Sequence, residues 1–257
     1  MKDSIGMVAA GFAALALMAH GNIAGAAEIK VLSSPAVHAV MEELGPKFER
    51  ASGHRLVITY MPSGAVVKRL QGGESTDVAI TTREGGDSLV NDGKAAAGDV
   101  TVFALSGIGV AVRKGAPRPD ISSAEALKST LLAAKSITYS KPAEGGASGI
   151  HFAKVLDRLG IANEMKSKTV FLPKSGPVAV LVASGEAELG VQQLPELLPV
   201  AGIEIIGPLP GDLQSTTVIA AVIMKAAGNV AAAKALVDFL RTPEAASVIR
   251  AKGMEPG

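Results

Sequence analysis

A repeated unit of strand, small polar loop and helix most constrains how the first third of this chain can fold. Residues 29–32 (IKVL), 55–60 and 77–80 (DVAI) predict three short strands from their β-branched and apolar content. Serine, threonine or glycine follows each strand, and apolar residues at helical spacing follow the first two loops. Such repeats predict an α/β fold with parallel strands, in which the loops collect at the carboxyl edge of the sheet.

The same pattern returns near the middle of the chain, where residues 139–150 contain two adjacent glycines and then Ser148 and Gly149. The helix that follows carries apolar residues at helical spacing and ends at Gly160, a typical C-cap residue. Ser148 is predicted to be the N-cap, with its hydroxyl turned towards the N–H groups of the first helical turn. Those N–H groups and the positive end of the helix dipole favour a small anion. One such loop is usually only a turn, so it is the recurrence at three places that indicates binding.

Other local patterns predict where particular elements begin. Ser122 and Glu125 have the spacing of a capping box ahead of a helix. Thr242 and Pro243 predict an N-cap followed by proline at the first position of the last helix. Residues 170–172 predict a short strand. Helices and strands are therefore expected to alternate along the whole chain.

The first 27 residues have the pattern of a secretory signal peptide. Their apolar stretch, residues 5–18, is too short to span a bilayer, and the segment ends in the small residues 24–27 (AGAA). Cleavage is expected near Ala26 or Ala27, and the chain has no cysteine that could carry a lipid anchor. The predicted product is a soluble periplasmic protein of roughly 230 residues without membrane insertion, which is enough for two α/β lobes.

Composition excludes several classes of function. The 25 basic and 24 acidic residues give a net charge of +1, so no charge excess points to nucleic acid as a partner. The absence of cysteine excludes disulfides, thiolate chemistry and cysteine-ligated zinc. A metal site would need more clustered ligands than His38, His54 and His151 offer. We therefore expect no cofactor, no metal and no catalytic residue. With 48% hydrophobic but only 3% aromatic residues, the core is expected to consist of Ala, Val, Leu and Ile.

Six short motifs occur in order along nearly all of the chain that follows the signal. They are residues 29–34 (IKVLSS), 63–64 (SG), 77–82 (DVAITT), 147–151 (ASGIH), 189–191 (LGV) and 239–246 (FLRTPEAA). Together they resemble the molybdate-binding group of extracytoplasmic solute-binding proteins, the type II periplasmic binding proteins of ABC importers. The resemblance implies an α/β fold of two lobes, with mixed sheets flanked by helices and two hinge crossovers.

The resemblance also implies how the chain is divided. Lobe 1 would combine residues 28–105 with 213–257, and lobe 2 would contain residues 106–212. The chain would cross between lobes near residues 105–107 and return near residues 208–214, where its glycine and proline content suits a hinge. One ligand would then bind in the cleft between the lobes.

A ligand site follows from matching the family's pocket to this sequence. Ala36 stands where the family has a serine, and Gln193 stands where it has a tyrosine. Val178 is the candidate for a backbone N–H donor that the family takes from the loop after residue 174. The implied ligand-binding residues are Ser33, Ser34, Ala36, Ser63, Gly64, Thr82, Ser148, Gly149, Val178 and Gln193. Hydroxyl and N–H donors of this kind can bind a dehydrated anion without a basic side chain.

The function implied is that of a monomeric periplasmic solute-binding protein, not an enzyme, which delivers a small anion to an ABC permease and its ATPase. The anion would be a molybdate-like oxyanion or a small organic carboxylate. Ala36 removes one hydroxyl donor, and the Gln193 amide adds an acceptor. We therefore expect the ligand preference to have changed from molybdate to another anion.

Two alternatives remain at this point. A periplasmic sensor or adaptor would use the same fold and the same hinge. A serine hydrolase would need a nucleophile elbow, which residues 146–149 (GASG) approach, but Ile150 stands where the second glycine of that motif is required.

Overall fold

The computed structural model describes residues 26–257, which form two α/β lobes with a cleft between them. The predicted signal segment lies outside the described residues except for its last two positions. No helix within residues 26–257 has both the length and the apolar composition needed to cross a bilayer.

The strands in chain order are β1 (Glu28–Ser33), β2 (Arg55–Tyr60), β3 (Val78–Thr82), β4 (Val100–Ser106), β5 (Ile108–Arg113), β6 (Ile137–Tyr139), β7 (Leu189–Gln193), β8 (Ile203–Pro208), β9 (Thr217–Ile223) and β10 (Glu255–Pro256). The α-helices are α1 (His38–Ser52), α2 (Ser63–Gln71), α3 (Arg83–Asn91), α4 (Ala124–Ala133), α5 (Ala147–Arg158), α6 (Ala162–Lys166), α7 (Ala179–Ser184), α8 (Leu194–Leu197), α9 (Val230–Phe239) and α10 (Pro243–Ala251).

The strands form two mixed sheets, which confirms the predicted fold class. The first sheet has the order β10-β4-β9-β3-β1-β2 and the second the order β6-β7-β5-β8. The repeated units predicted to be parallel are so, because β1 pairs in parallel with both β2 and β3. In the second sheet β6 and β7 are parallel. The later strands β4, β9 and β10, and β5 with its neighbours, run antiparallel to their partners.

The two crossovers between the sheets lie side by side. The chain leaves the first sheet between β4 and β5, which only Gly107 separates, and it returns between β8 and β9. In the returning segment, the Gln214 side chain forms two hydrogen bonds with the Ile108 backbone. Its Oε1 accepts from the Ile108 N–H at 3.1 Å, and its Nε2 donates to the Ile108 carbonyl at 2.9 Å. The lobe boundaries at residues 105 and 212 stay a prediction about which segments move together.

Aliphatic side chains dominate the cores. In the first lobe α1, α9 and α10 pack on one face of the sheet around residues such as Val31 and Leu236. Helices α2 and α3 cover the opposite face. In the second lobe α4, α5 and α6 pack around Ile108, Leu131 and Phe152. The carboxyl ends of β1, β3, β6 and β7 are thereby left free to carry the loops that border the cleft.

Two predicted helix caps and one predicted strand are wrong. The N-cap of α5 is Gly146, in extended conformation, so Ser148 lies inside the first helical turn. The N-cap of α4 is Ser123, whose hydroxyl accepts the Ala126 N–H, and not Ser122. Residues 170–172 are not a strand, because pairing there is limited to one isolated bridge between Ile137 and Thr169. The predicted Thr242 cap with proline after it is confirmed.

Candidate functional site

The cleft between the lobes is bordered by the loops and helix starts that follow the strands of both sheets. It contains about 620 Å³ of empty space, including solvent at its mouth. From the first lobe it is lined by Ser34, Ala36, Ser63 and Thr217, and from the second by Tyr139, Ser140, Ser148, Gln192, Gln193 and Glu196.

The structure brings most of the predicted site residues to this cleft. Those that line it are Ser34, Ala36, Ser63, Ser148, Val178 and Gln193. Those that lie behind the lining are Ser33, Gly64, Thr82 and Gly149. Ser33 is fully buried and donates to the Ser34 carbonyl at 3.1 Å, and Thr82 caps α3 by accepting the Gly85 N–H at 3.1 Å. Ligand contact by these ten residues stays a prediction.

The Ser34 loop is ordered by its own backbone. The Ser34 N–H donates to the Ile80 carbonyl at 2.8 Å, which fixes the loop to the neighbouring strand. The Ser34 hydroxyl accepts the Ala36 N–H at 3.3 Å. Because the hydroxyl accepts in this contact, its hydrogen is available to donate to a ligand.

Two helix starts face the cleft from opposite lobes. Ser63 is the first residue of α2 and Ser148 the second residue of α5, and both side chains are buried. The first N–H groups of an α-helix have no acceptor within the helix. The Gly64 N–H is already used, because it donates to the Gly145 carbonyl of the other lobe at 3.0 Å. Helix α5 is the longer of the two, with 12 residues. The N–H groups at its start and the positive end of its dipole contribute to the site.

Gly149 owes its place to packing. A Cβ at this position would lie 1.8 Å from the Ser140 carbonyl oxygen. The missing side chain lets the start of α5 lie directly against the loop after β6. Ser148 Oγ is consequently 3.5 Å from Ser140 Oγ.

Gln192 organises the second-lobe wall of the cleft. Its side chain is almost completely buried, and its Oε1 accepts the Val178 N–H at 2.8 Å. Its Nε2 lies 2.8 Å from Glu196 Oε2 and 3.2 Å from both the Gly176 carbonyl and Ser140 Oγ. Gln192 therefore holds the backbone amide that the sequence suggested as a ligand donor.

Gln193 joins the two lobes and leaves one polar atom unsatisfied. Its Nε2 donates to Thr217 Oγ1 at 2.6 Å, from β7 of the second sheet to β9 of the first. Its Oε1 is buried and has no hydrogen-bond partner among the described residues. A buried acceptor without a partner costs about 1–3 kcal/mol, so an added donor at this point would stabilise the closed cleft.

Glu196 is a cleft residue that sequence reasoning missed. It lies on α8 and is half-buried, with part of its surface open to the cleft. Since α8 packs on its own sheet and also against α1 of the other lobe, protein surrounds the carboxyl, and this burial raises its pKa to about 8. The cationic side chains in the cleft lining, Lys141 and Lys174, are both exposed.

A local signal for Glu196 does exist in the sequence. Glu196 follows Gln192 by four residues and lies three residues beyond the end of a buried strand at Gln193. Ser140, which follows β6, and Thr217, the first residue of β9, carry a weaker signal as hydroxyl residues at strand ends. Among residues 26–257 no group of three or more acidic or histidine side chains is arranged to hold a metal ion.

Comparison with known proteins places this fold and cleft in one family. The sequence matches the bacterial extracellular solute-binding proteins over residues 29–255. The chain belongs to this family. Its likeness to the molybdate-binding group is confirmed in sequence and in fold.

Known proteins with different names resemble the chain over most of its length. The aconitate isomerase of a Pseudomonas species is 36% identical over 234 residues, covering 89% of this chain and 87% of that protein. The molybdate-binding protein ModA of Azotobacter vinelandii is 30% identical over 238 residues, covering 90% of each. The solved structure of the periplasmic molybdate-binding protein of Azotobacter vinelandii superimposes with a TM-score of 0.73 at 24% identity, covering 88% of this chain and 98% of that one. The family is thus one of binding proteins, with a named enzyme among the relatives of this chain.

Proposed function

We propose that this protein captures a small organic polycarboxylate in the cleft between its lobes. The observation that carries this is the mixture of donors and acceptors in the cleft. Serine hydroxyls and the start of α5 suit carboxylate oxygens, whereas the Glu196 carboxyl can share a proton with one of them. A carboxylic acid, unlike a fully ionised oxyanion, can provide both.

Molybdate fits this cleft less well. A tetrahedral dianion needs donors on every side, and Ala36 supplies no hydroxyl to it. Relatives named as molybdate-binding are 30% and 28% identical, whereas the relative that is named for an organic tricarboxylate is 36% identical. We infer that the ligand preference has moved away from molybdate.

We propose that the N-terminal segment directs export of the protein to the periplasm. There the protein would deliver its ligand to an ABC permease and its ATPase. The family description as extracellular solute-binding proteins supports this, as does a solved neighbour described as the substrate-binding domain of a molybdenum ABC transporter. In this role lobe closure would carry the ligand state to the permease.

Isothermal titration of the ligand-free protein with molybdate, tungstate, sulfate, citrate, cis-aconitate and trans-aconitate tests the ligand class. We expect the polycarboxylates to bind more tightly than the oxyanions. Submicromolar molybdate binding with weak carboxylate binding would restore the family's default ligand.

A second candidate function is isomerisation of an unsaturated polycarboxylate. It is favoured by the 36% identity to an aconitate isomerase over nearly the whole chain and by an enclosed carboxyl group, Glu196, in the cleft. Conversion of trans-aconitate into cis-aconitate by the purified protein, followed by NMR, tests it.

A further inference from the structure

The way in which Glu196 is held in the cleft goes beyond what capture of an anion requires. Glu196 is oriented through one oxygen only: Oε2 lies 2.8 Å from Gln192 Nε2. Among residues 26–257 no hydrogen bond reaches its Oε1. Gln192 is itself fixed by the Val178 N–H, so the Glu196 side chain has a defined direction while one oxygen stays available to a ligand.

No cation neutralises this carboxyl in the described part of the chain, where no ion pair of 4.0 Å or less includes Glu196. The ionisable side chains of the cleft lining and of the elements packed on α8 are Tyr139, Lys141, Glu144, Lys174, His38, Glu42, Glu43, Lys47, Glu49, Arg50 and Arg113. An uncompensated carboxylate beside a bound anion is unfavourable, and two carboxyl groups that share a site hold a proton between them.

Burial also favours the protonated form of Glu196 when no ligand is bound. The pKa of Glu196 is raised to about 8 by desolvation. A group of this kind is present in both protonation states near neutral pH, which is the condition under which general acid–base catalysis is most effective.

We propose that Glu196 is a catalytic residue that moves a proton along the carbon chain of an unsaturated polycarboxylate bound in the cleft. This proposal rests on the second candidate function and assigns Glu196 as its acid–base group. The substrate class is a molecule with a carbon–carbon double bond, a neighbouring CH₂ group and carboxylates on both.

The step balances without a co-reactant. Ionised Glu196 takes a proton from the CH₂ carbon, so a C–H bond breaks and an O–H bond forms. The electron pair is delocalised over the former double bond and the attached carboxylates. Glu196 then returns the proton to the far carbon of the three-carbon unit, which shifts the double bond by one position and restores the ionised carboxyl. Nothing is oxidised or reduced.

The rest of the cleft supports the charge that develops in this step. The start of α5 and the buried Ser63 and Ser148 hydroxyls are donors already in position for carboxylate oxygens. Donors fixed before the reaction stabilise such negative charge without reorganisation.

The test uses the purified protein with trans-aconitate in D₂O, monitored by NMR for cis-aconitate and for deuterium at the CH₂ carbon. Glu196→Gln is expected to lower the rate by about 10²–10⁴-fold. Its affinity for trans-aconitate at pH 6, where wild-type Glu196 carries its proton, should change less than about tenfold. Glu196→Asp should restore part of the rate. Glu164→Gln, an exposed side chain on α6, is the control for the chemical change and should leave the rate unchanged.

The outcomes distinguish a failure of the proposed ligand capture from a failure of the catalytic role of Glu196. Wild-type protein that binds none of the polycarboxylates removes the proposed function and the role of Glu196 with it. Binding without isomerisation or exchange leaves capture standing and overturns the catalytic role. An active Glu196→Gln variant, or a pH–rate profile that is the same with and without Glu196, shows that another group transfers the proton.

Discussion

The backbone N–H of Gly64, in the first lobe, donates a hydrogen bond of 3.0 Å to the carbonyl oxygen of Gly145, in the second. Neither position has room for a side chain. A Cβ on Gly64 would lie 3.0 Å from Gly145 Cα, and a Cβ on Gly145 would lie 2.9 Å from Gly64 Cα. Gly145 also has a φ of 81°, which L side chains rarely adopt. The lobes thus meet backbone to backbone beside the cleft, so the closed arrangement depends on glycine at both positions.

Replacing Gly64 by alanine should weaken ligand binding without weakening the fold. Alanine is the better helix former in α2, but its methyl group would press on the Gly145 backbone when the lobes close. We expect affinity to fall by about tenfold or more, equivalent to at least about 1.4 kcal/mol. Titration calorimetry measures the affinity, and small-angle X-ray scattering measures whether ligand still reduces the radius of gyration.

Gly98→Ala is the matched control, because a Cβ at Gly98 has no neighbour within 4 Å. It should bind and close like the wild type. If Gly64→Ala binds and closes like Gly98→Ala, the glycine contact does not belong to the closed state that binds ligand.

The buried serines at the two helix starts are expected to carry part of the binding energy. Ser63→Ala and Ser148→Ala each remove a hydroxyl donor to a buried charge, which should cost about 1.5–3 kcal/mol, or roughly tenfold to a hundredfold in affinity. Ser129→Ala, exposed on α4, is the control and should leave the affinity unchanged. Unchanged affinity in both cleft variants would place the ligand elsewhere.

Ligand affinity should depend on pH through Glu196. Its pKa is about 8, so below this pH the group is neutral and can donate a proton to a carboxylate, and above it the group is ionised and repels the anion. Affinity should therefore fall as the pH rises from 7 to 9, and at most tenfold per pH unit. Lys141, Glu144 and Lys174 also line the cleft, so the decisive quantity is the difference in slope between wild type and Glu196→Gln. Parallel slopes would contradict the assignment.

The same group should make the stability of the ligand-free protein depend on pH. In the unfolded chain the pKa of Glu196 returns from about 8 to its ordinary 4.5, so between these values the folded state binds more protons than the unfolded state. The free energy of unfolding must then decrease as the pH rises through this window. Thermal unfolding at pH 5, 7 and 9 should show a smaller loss for Glu196→Gln than for wild type. An equal loss in both proteins would mean that the folded-state pKa is not raised.

Much of the fold could be read from local patterns, because those patterns depend on local physics. The β-branched run that forms β2 and the Thr242 cap with its proline are fixed by residues a few positions apart. The order of the small polar loops also led to the cleft, since loops after strands of one sheet meet at one edge. Six of the ten predicted site residues line that cleft.

The features that local patterns could not show have a different cause. Whether Gly149 binds a ligand or allows close packing depends on how the connection between β6 and α5 folds back and places the Ser140 carbonyl against it. The Val178 N–H is used by Gln192, 14 residues further along the chain. The raised pKa of Glu196 requires the other lobe to pack over α8. Each of these contacts depends on how the chain folds back in three dimensions, so no local pattern could show it.

Replacing the Gln193 amide should weaken ligand binding without lowering the stability of the ligand-free protein. Its Oε1 is buried without a partner, while its Nε2 donates to Thr217 across the lobes. Gln193→Leu removes the unpaired acceptor, a gain of about 1–3 kcal/mol, and loses one hydrogen bond, a cost of about 1 kcal/mol. The free energy of unfolding of the ligand-free protein should therefore stay equal or rise by up to about 2 kcal/mol in urea unfolding. Polycarboxylate affinity should fall, because the hydrogen bond to Thr217 that joins the two lobes is gone. Thr217→Val, which removes only the partner hydroxyl, should not raise the stability. A Gln193→Leu protein that is less stable than wild type but binds the ligand equally well would show that Gln193 serves the fold and not the site.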